Sequence, residues 1–305
     1  MGTKKSIDPQ STVAWPAGKS IEEPTSNLAA AAGIRLKLPH PRSSIGAISG
    51  LPGFDTAIRL KPSLVCEAVE KGVVVAGITG LDNVIEGGMQ GKVNVVAMLA
   101  YSKTTNGGTR GVLFGRNDSP RTLDELRRQR GVRIVSEYPQ TTKAFLAAEN
   151  INAEVISCPG GAEALVASGL YDFGVALVET GSSLTADDLI SVAQIFESQT
   201  VLIAHADLYA CENVRRRVDF FAKLLLGVIE ARDKRYLTMN APLGRLDQIR
   251  RVLPALKSPT VQALAEEGYC AISTVVPVEG INDLKMQLLE LGATGIVELN
   301  ASSII

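Results

Sequence analysis

Short apolar runs alternate with amphipathic stretches from about residue 57 to residue 205. Val73 to Ile78, Gly111 to Phe114, Val132 to Val135, Ala153 to Ser157, Phe173 to Val178 and Val201 to Ala204 are rich in Val and Ile and bounded by Gly, Pro or charged residues, which predicts strands. The segments between them read as helices. Pro62 to Lys71 opens on proline and stops before Gly72, and Thr122 to Arg130 opens on a capping Thr-Leu-Asp-Glu and stops before Gly131. Thr141 to Asn150 and Ala162 to Ser168 follow in the same style. This alternation predicts an α/β architecture with buried, largely parallel sheets.

Tyr101 to Gly108, with Asn106-Gly107-Gly108, reads as a crossover between two lobes, and a second crossing near Thr180 is expected to return the chain to the first. Two lobes joined by two strands resemble the periplasmic-binding-protein type of fold, whose cleft is a common kind of ligand site. From Glu212 to Arg235, Val214, Val218, Phe221, Leu224, Leu225 and Val228 recur at helical spacing, with Arg215 to Arg217 on a solvated face. The last 70 or so residues then change rhythm. Strand over Tyr236 to Asn240, helix over Leu243 to Leu253, strands over Thr260 to Leu264 and Ala271 to Val276, helix over Asn282 to Leu291 and strand over Gly295 to Leu299 give βαββαβ, the ferredoxin-like order. The expected organisation is a disordered tail at 1–10, lobe I at 11–104 plus 182–234, lobe II at 105–181, and a separate domain at 235–305.

A hydrophobic content of 46% over 305 residues is enough for several cores. With 31 basic against 32 acidic residues the net charge is −1, which offers no global attraction for nucleic acid or an anionic membrane. Any recognition of phosphate must therefore be local. Cys66, Cys158, Cys211 and Cys270 form no CxxC pair, and His40 and His205 are the only histidines, so no protein-held metal is expected. The start of the chain lacks the apolar run of a secretory signal, and no segment reaches the roughly 18 apolar residues of a membrane span. A cytoplasmic location is the resulting expectation.

The stretch from Asp172 to Leu184 carries the candidate chemistry. An apolar strand breaks into Thr180-Gly181-Ser182-Ser183, and Thr185 to Leu189 reads as the first turn of a helix. Free N–H groups and the positive end of that helix would face the turn, Gly181 permits close backbone approach, and three hydroxyls can donate. The arrangement suits a phosphate, and it also suits a plain connection in an α/β protein.

Other motifs, in order along the chain, resemble the long form of ATP phosphoribosyltransferase. They are Val13-Ala-Trp-Pro-Ala-Gly-Lys-Ser20, Gly77-Ile-Thr-Gly-Leu-Asp82 with Glu86 after it, Arg133-Ile-Val-Ser-Glu-Tyr-Pro139, Gly160-Gly-Ala-Glu163, Gly169-Leu-Tyr-Asp172 and Leu177-Val-Glu-Thr-Gly-Ser-Ser-Leu184. Tyr236 to Pro242, Leu253-Pro254, Ser258 to Val261 and Leu291-Gly-Ala-Thr-Gly-Ile296 resemble the family's regulatory domain. The resemblance implies the first step of histidine biosynthesis, in which N1 of ATP displaces pyrophosphate from phosphoribosyl pyrophosphate carried with Mg2+. It implies that Glu163, Asp172, Glu179, Thr180, Gly181, Ser182, Ser183 and Leu184 bind phosphoribosyl pyrophosphate. Lys19, Lys61, Asp82, Arg110 and Tyr138 become candidates for the leaving group or nucleotide, with Tyr138 packing on a base or on the core. A homo-oligomer, a hexamer in the family, and histidine as allosteric inhibitor are also implied.

Some charged positions of the family differ here. Ala17 stands in place of Lys, Lys19 and Lys61 in place of Arg, and Leu64, Val75 and Ala176 in place of Asp. Alanine cannot accept a ribose hydroxyl, and Lys is no bidentate substitute for Arg. A paralogue with another nucleobase-like acceptor, or a non-catalytic ligand-sensing subunit, is the alternative reading of these positions.

Overall fold

The computed structural model describes residues 7–18, 21–101, 108–178, 182–254 and 258–305. The chain first builds β1 (Thr12–Pro16), α1 (Glu22–Ala31), β2 (Arg35–Lys37), β3 (Ile45–Ser49), β4 (Thr56–Leu60), α2 (Pro62–Glu70), β5 (Ala76–Gly80), α3 (Leu81–Glu86) and β6 (Val93–Leu99). It then crosses to a second lobe made of β7 (Thr109–Arg116), α4 (Leu123–Arg127), β8 (Val132–Ser136), α5 (Pro139–Ala148), β9 (Ala153–Ser157), α6 (Ala162–Ala167), β10 (Phe173–Val178), α7 (Ser182–Ala186) and β11 (Leu189–Ser198). A single residue, Gln199, separates β11 from β12 (Thr200–His205), which re-enters the first sheet. The helices α8 (Ala206–Ala210) and α9 (Glu212–Ala231) follow.

Lobe I is a seven-stranded sheet in the order β2-β3-β4-β1-β5-β12-β6, and lobe II a five-stranded sheet in the order β11-β7-β10-β8-β9. Both are mixed rather than largely parallel. β1 runs parallel to β4 and β5, and β8 parallel to β9 and β10, as crossover helices demand. The β2–β3–β4 meander and the four strands next to the crossings run antiparallel to their neighbours. Val65, Cys66 and Val69 of α2 pack with Ala14, Val201 and Ile203 in one core of lobe I. In lobe II, Phe114, Val135 and Val166 form the core on one side of the sheet, and Leu113, Ile134 and Phe173 that on the other.

The second crossing falls at Gln199, not near Thr180, and this moves a lobe boundary. β11 pairs with β7 from Leu189↔Arg116 to Ser198↔Thr109, so residues 182–198 belong to lobe II and not to lobe I. Register shifts at Ser191/Ala193 and Gln194/Phe196 break its alternation, which hides the strand in the sequence. The helix after β10 starts at Ser182 and ends at Ala186, so Thr185 to Leu189 is its exit rather than its first turn. Nor are residues 7–10 a disordered tail: Asp8 caps the short helical turn Pro9–Ser11, accepting the Gln10 N–H at 3.0 Å, and its carbonyl accepts the Thr12 hydroxyl.

The chain divides into two compact units, Met1–Ala222 and Lys223–Ile305. In the second, β13 (Lys234–Pro242), the one-turn helix Leu243–Arg245, α10 (Leu246–Val252), β14 (Thr260–Ala263), β15 (Tyr269–Pro277), α11 (Ile281–Glu290) and β16 (Thr294–Asn300) give an antiparallel sheet in the order β14-β15-β13-β16. Leu237, Met239 and Ile272 on the sheet meet Ile249 of α10 and Leu284 and Leu288 of α11. This is the ferredoxin-like domain expected from the sequence, with its first strand starting at Lys234.

Candidate active site

The two lobes turn the same kind of edge toward their junction. β1, β4 and β5 share a direction, and their carboxyl ends lead into Ala17-Gly18, Lys61 and Leu81-Asp82. Gly80 at the end of β5 pairs with Thr200, the first residue after the crossing. In lobe II the carboxyl end of β10, Val178, pairs with Arg110 beside the other crossing. Ligands of α/β sheets bind outside the carboxyl ends of parallel strands, and here two such edges meet. A cleft of about 470 Å³ lies there, lined by Leu81, Met98, Gly108, Thr109, Arg110, Glu197, Ser198 and Gln199.

Asp82 occupies the wall of this junction and is only 4% exposed. Its N–H donates to Ser198 Oγ at 2.9 Å, and that hydroxyl donates to Asp82 Oδ1 at 2.5 Å. Asn83 Nδ2 donates to the other oxygen at 2.8 Å, and the Tyr138 hydroxyl lies near enough to favour the charged form of the same carboxylate. Burial pushes the Asp82 carboxyl above its usual range, against the pull of the Ser198 and Tyr138 hydroxyls. The carboxylate can fold back this way because residue 80 is glycine: a Cβ there would lie 2.1 Å from Asp82 Oδ1.

Tyr138 closes the same group. Its ring meets Phe196 edge-on at 5.1 Å and 67°, and Phe196 lies over Gly111, where a Cβ would stand 2.2 Å from the ring. Burial first, then the Asp82 carboxylate, drives the Tyr138 hydroxyl far above the ordinary phenol range, so it stays protonated as a donor. The half-buried Tyr138 ring thus packs on Phe196, itself half-buried, beside the crossing.

Two further acids mark the lobe II side. Glu137 is pushed above its usual range by burial and then by Glu163, while the N–H groups of Gly161 and Ala162 pull it back. Gly161, at φ 77°, makes the left-handed turn into α6 that presents those N–H groups. From lobe I, Glu86 accepts the N–H groups of Gln140 at 2.8 Å and Thr141 at 2.9 Å.

The structure thus brings Asp82, Tyr138 and Arg110 together at the crossings, with Lys61 at the carboxyl end of β4 and Glu163 in the first turn of α6 after β9. It does not bring Asp172 there. That residue precedes β10, on the order of 17 Å of strand away from the junction, and its carboxylate accepts the Arg133 N–H at 2.8 Å. Its role is to fasten the far end of β10 to β8. Leu184 turns its side chain into the lobe II core, buried with Val112, Ala176 and Val178, so only its backbone is left to meet a ligand. Lys19, Glu179, Thr180, Gly181 and the side chains of Ser182 and Ser183 lie outside the described residues.

Among the altered positions, Val75 sits at the other end of the first sheet, its N–H on Thr12 O and its carbonyl accepting from His205, so its replacement does not touch the junction. Ala176 is 2% exposed inside an apolar cluster, where a carboxylate would be desolvated. Ala17 and the exposed Leu64 do lie at the carboxyl edge of lobe I. Sequence reasoning missed Ser198, Glu137 and the role of Glu86. Glu86 and Glu137 stand within or just beyond the quoted motifs, whereas Ser198 ends the strand that periodicity did not reveal.

The family model of ATP phosphoribosyltransferase matches residues 61–226, and that of the HisG C-terminal domain residues 231–302. The ATP phosphoribosyltransferase of Pelodictyon phaeoclathratiforme is 34% identical over 290 residues, which cover 94% of this chain and 95% of that protein. This chain belongs to the ATP phosphoribosyltransferase family. ATP phosphoribosyltransferase 1 of Geobacter sulfurreducens is likewise 35% identical over 266 residues, 86% of this chain and 90% of its own. A chain of the ATP phosphoribosyl transferase (HisG:HisZ) complex from Thermotoga maritima shares the fold at a TM-score of 0.55 and 22% identity, covering 72% of this chain and 98% of that one. ATP phosphoribosyltransferases are glycosyl-transfer enzymes of histidine biosynthesis, and the two-lobed fold with its ferredoxin-like domain is the fold described above.

Proposed function

We propose that this chain condenses phosphoribosyl pyrophosphate with ATP at adenine N1, releasing pyrophosphate. The reading is carried by the family match along nearly the whole chain, and the meeting of two carboxyl strand edges at one cleft supports it. In such a displacement positive charge develops on the sugar and negative charge on the departing pyrophosphate, so the protein has to hold the phosphate, neutralise the leaving group and orient the purine. Residues 179–183 follow the junction-facing end of β10 and are assigned to the 5-phosphate, Thr180 to Ser183 by their hydroxyl and backbone donors. Arg110 lines the cleft and Lys61 follows the carboxyl end of β4, and both are assigned as cations for the leaving group, with Lys19 the next basic residue along the β1 loop. Mg2+ enters with phosphoribosyl pyrophosphate.

The ferredoxin-like domain is assigned to histidine as feedback inhibitor, and the working assembly to a homo-oligomer, a hexamer in the long-form family. Ala17 and Leu64, at the carboxyl edge where the family carries charge, favour a second reading: a paralogue with another nucleobase-like acceptor, or a ligand-sensing subunit without turnover. Pyrophosphate release from phosphoribosyl pyrophosphate, measured first with ATP and then with a panel of other bases, decides between them. Release with ATP is the expected result; release only with another base selects the paralogue. Binding without release for any acceptor overturns the enzymatic reading.

A further inference from the structure

Glu86 is a lobe I carboxylate whose observed hydrogen-bond partners all belong to lobe II. It closes α3, and its oxygens accept the N–H of Gln140 at 2.8 Å, the N–H of Thr141 at 2.9 Å and the Thr141 hydroxyl at 2.8 Å. The helix it meets, α5, has no cap of its own. Tyr138 at the capping position makes no side-chain bond to the helix, and Pro139 at the first position has no N–H. The free donors and positive end of a ten-residue helix are therefore satisfied across the junction, by a residue 54 positions earlier.

A second tie runs beside the first. Asp82 of lobe I exchanges two hydrogen bonds with Ser198 at the end of the lobe II strand that carries the chain back to lobe I. Leu81 adds a backbone bond to Gln199 O at 2.9 Å, inside the crossing. Glu86, Asp82 and Leu81 all belong to α3, so one short helix grips α5 and the crossing together.

We propose that Glu86 is a positioning residue, an interlobe latch that holds the cleft in one closed geometry before any substrate arrives. It deepens the proposed phosphoribosyl transfer and rests on that reading only for its kinetic consequence. Without the latch the lobes part more often, the binding-competent fraction falls, and apparent affinity for the sugar phosphate falls by the same factor. Chemistry within the molecules that do close is unchanged.

Amide hydrogen exchange of the ligand-free full chain tests this in Glu86→Ala and Glu86→Gln. In Glu86→Ala the amides of Gln140 and Thr141 lose protection, and so do those of Leu81 and Asp82, which Glu86 does not itself bond, each by about tenfold. Glu86→Gln, with one acceptor oxygen left, falls between that variant and the parent. In turnover, KM for phosphoribosyl pyrophosphate rises by about tenfold in Glu86→Ala with kcat nearly unchanged, and Glu86→Gln restores part of it. Loss of protection confined to residues 140 and 141 makes Glu86 a simple helix cap and overturns the latch, as does unchanged exchange at all four amides. If Glu86→Ala does not fold, Glu86→Gln is compared with the parent at the same four amides, with the same two outcomes. Because exchange needs no turnover, altered exchange in a protein that releases no pyrophosphate rejects the catalytic reading and leaves the latch standing.

Discussion

Asp82 is a buried acid kept in place by the side chains of Ser198 and Asn83 and by a glycine that makes room for it. Its raised pKa has a definite consequence for stability. The folded protein holds this proton more tightly than the unfolded chain, so its contribution is fully present below the ordinary value of 3.8 and is lost as pH rises through the folded value. Asp82→Asn keeps the shape and removes the titration. Relative to Asp82→Asn, the parent is expected to lose stability as pH is raised from about 4 toward 7. Urea denaturation of both proteins across that range measures it, and a difference independent of pH would falsify the assignment. Glu137, raised in the same direction, is present in both and cancels. At this scale the sequence revealed Asp82 and Tyr138 through their motifs, but not what each touches, because their partners Ser198 and Phe196 lie 116 and 58 positions away.

Elements with one clean period were legible and those without were not. β9 and β10 fall where their Val and Ile runs end, bounded by local turn residues. β11 escaped because two register shifts interrupt its alternation, and missing it placed the second crossing 19 residues too early, at 180 instead of 199. The turn after β10 shows the same limit: hydroxyl and glycine content marked the loop, while the helix bounds followed from the exit at Asp188, whose φ is 56°. In the second unit the periods are regular, and every strand and helix of the βαββαβ order was expected near its place. Its stability should rest on α11 against the sheet. Leu288 is fully buried there, and Leu288→Ala is expected to destabilise the unit by about 2 to 5 kcal/mol. Amide exchange should quicken in β13 and β15 while β1 and β5 keep their protection; equal loss in both would show that the two units unfold as one.

For the whole molecule the division into Met1–Ala222 and Lys223–Ile305 separates the proposed chemistry from the proposed sensing. If the second unit binds histidine, millimolar histidine raises the melting temperature of the full chain, by linkage worth about 2.7 kcal/mol at a hundredfold excess over Kd. Coincident melting curves with and without histidine would count against that assignment. The sequence by itself determined the family, the α/β class and the ferredoxin-like order. These are properties of local periods and short ordered motifs, which survive being read one segment at a time. Only the tertiary structure decided that Asp172 fastens a strand end far from the cleft, that Val75 lies away from it too, and that Tyr138 packs on Phe196. It alone joined Glu86 to α5. Those facts depend on which end of a parallel strand a residue occupies and on which distant strand returns beside it, and neither is encoded in local spacing.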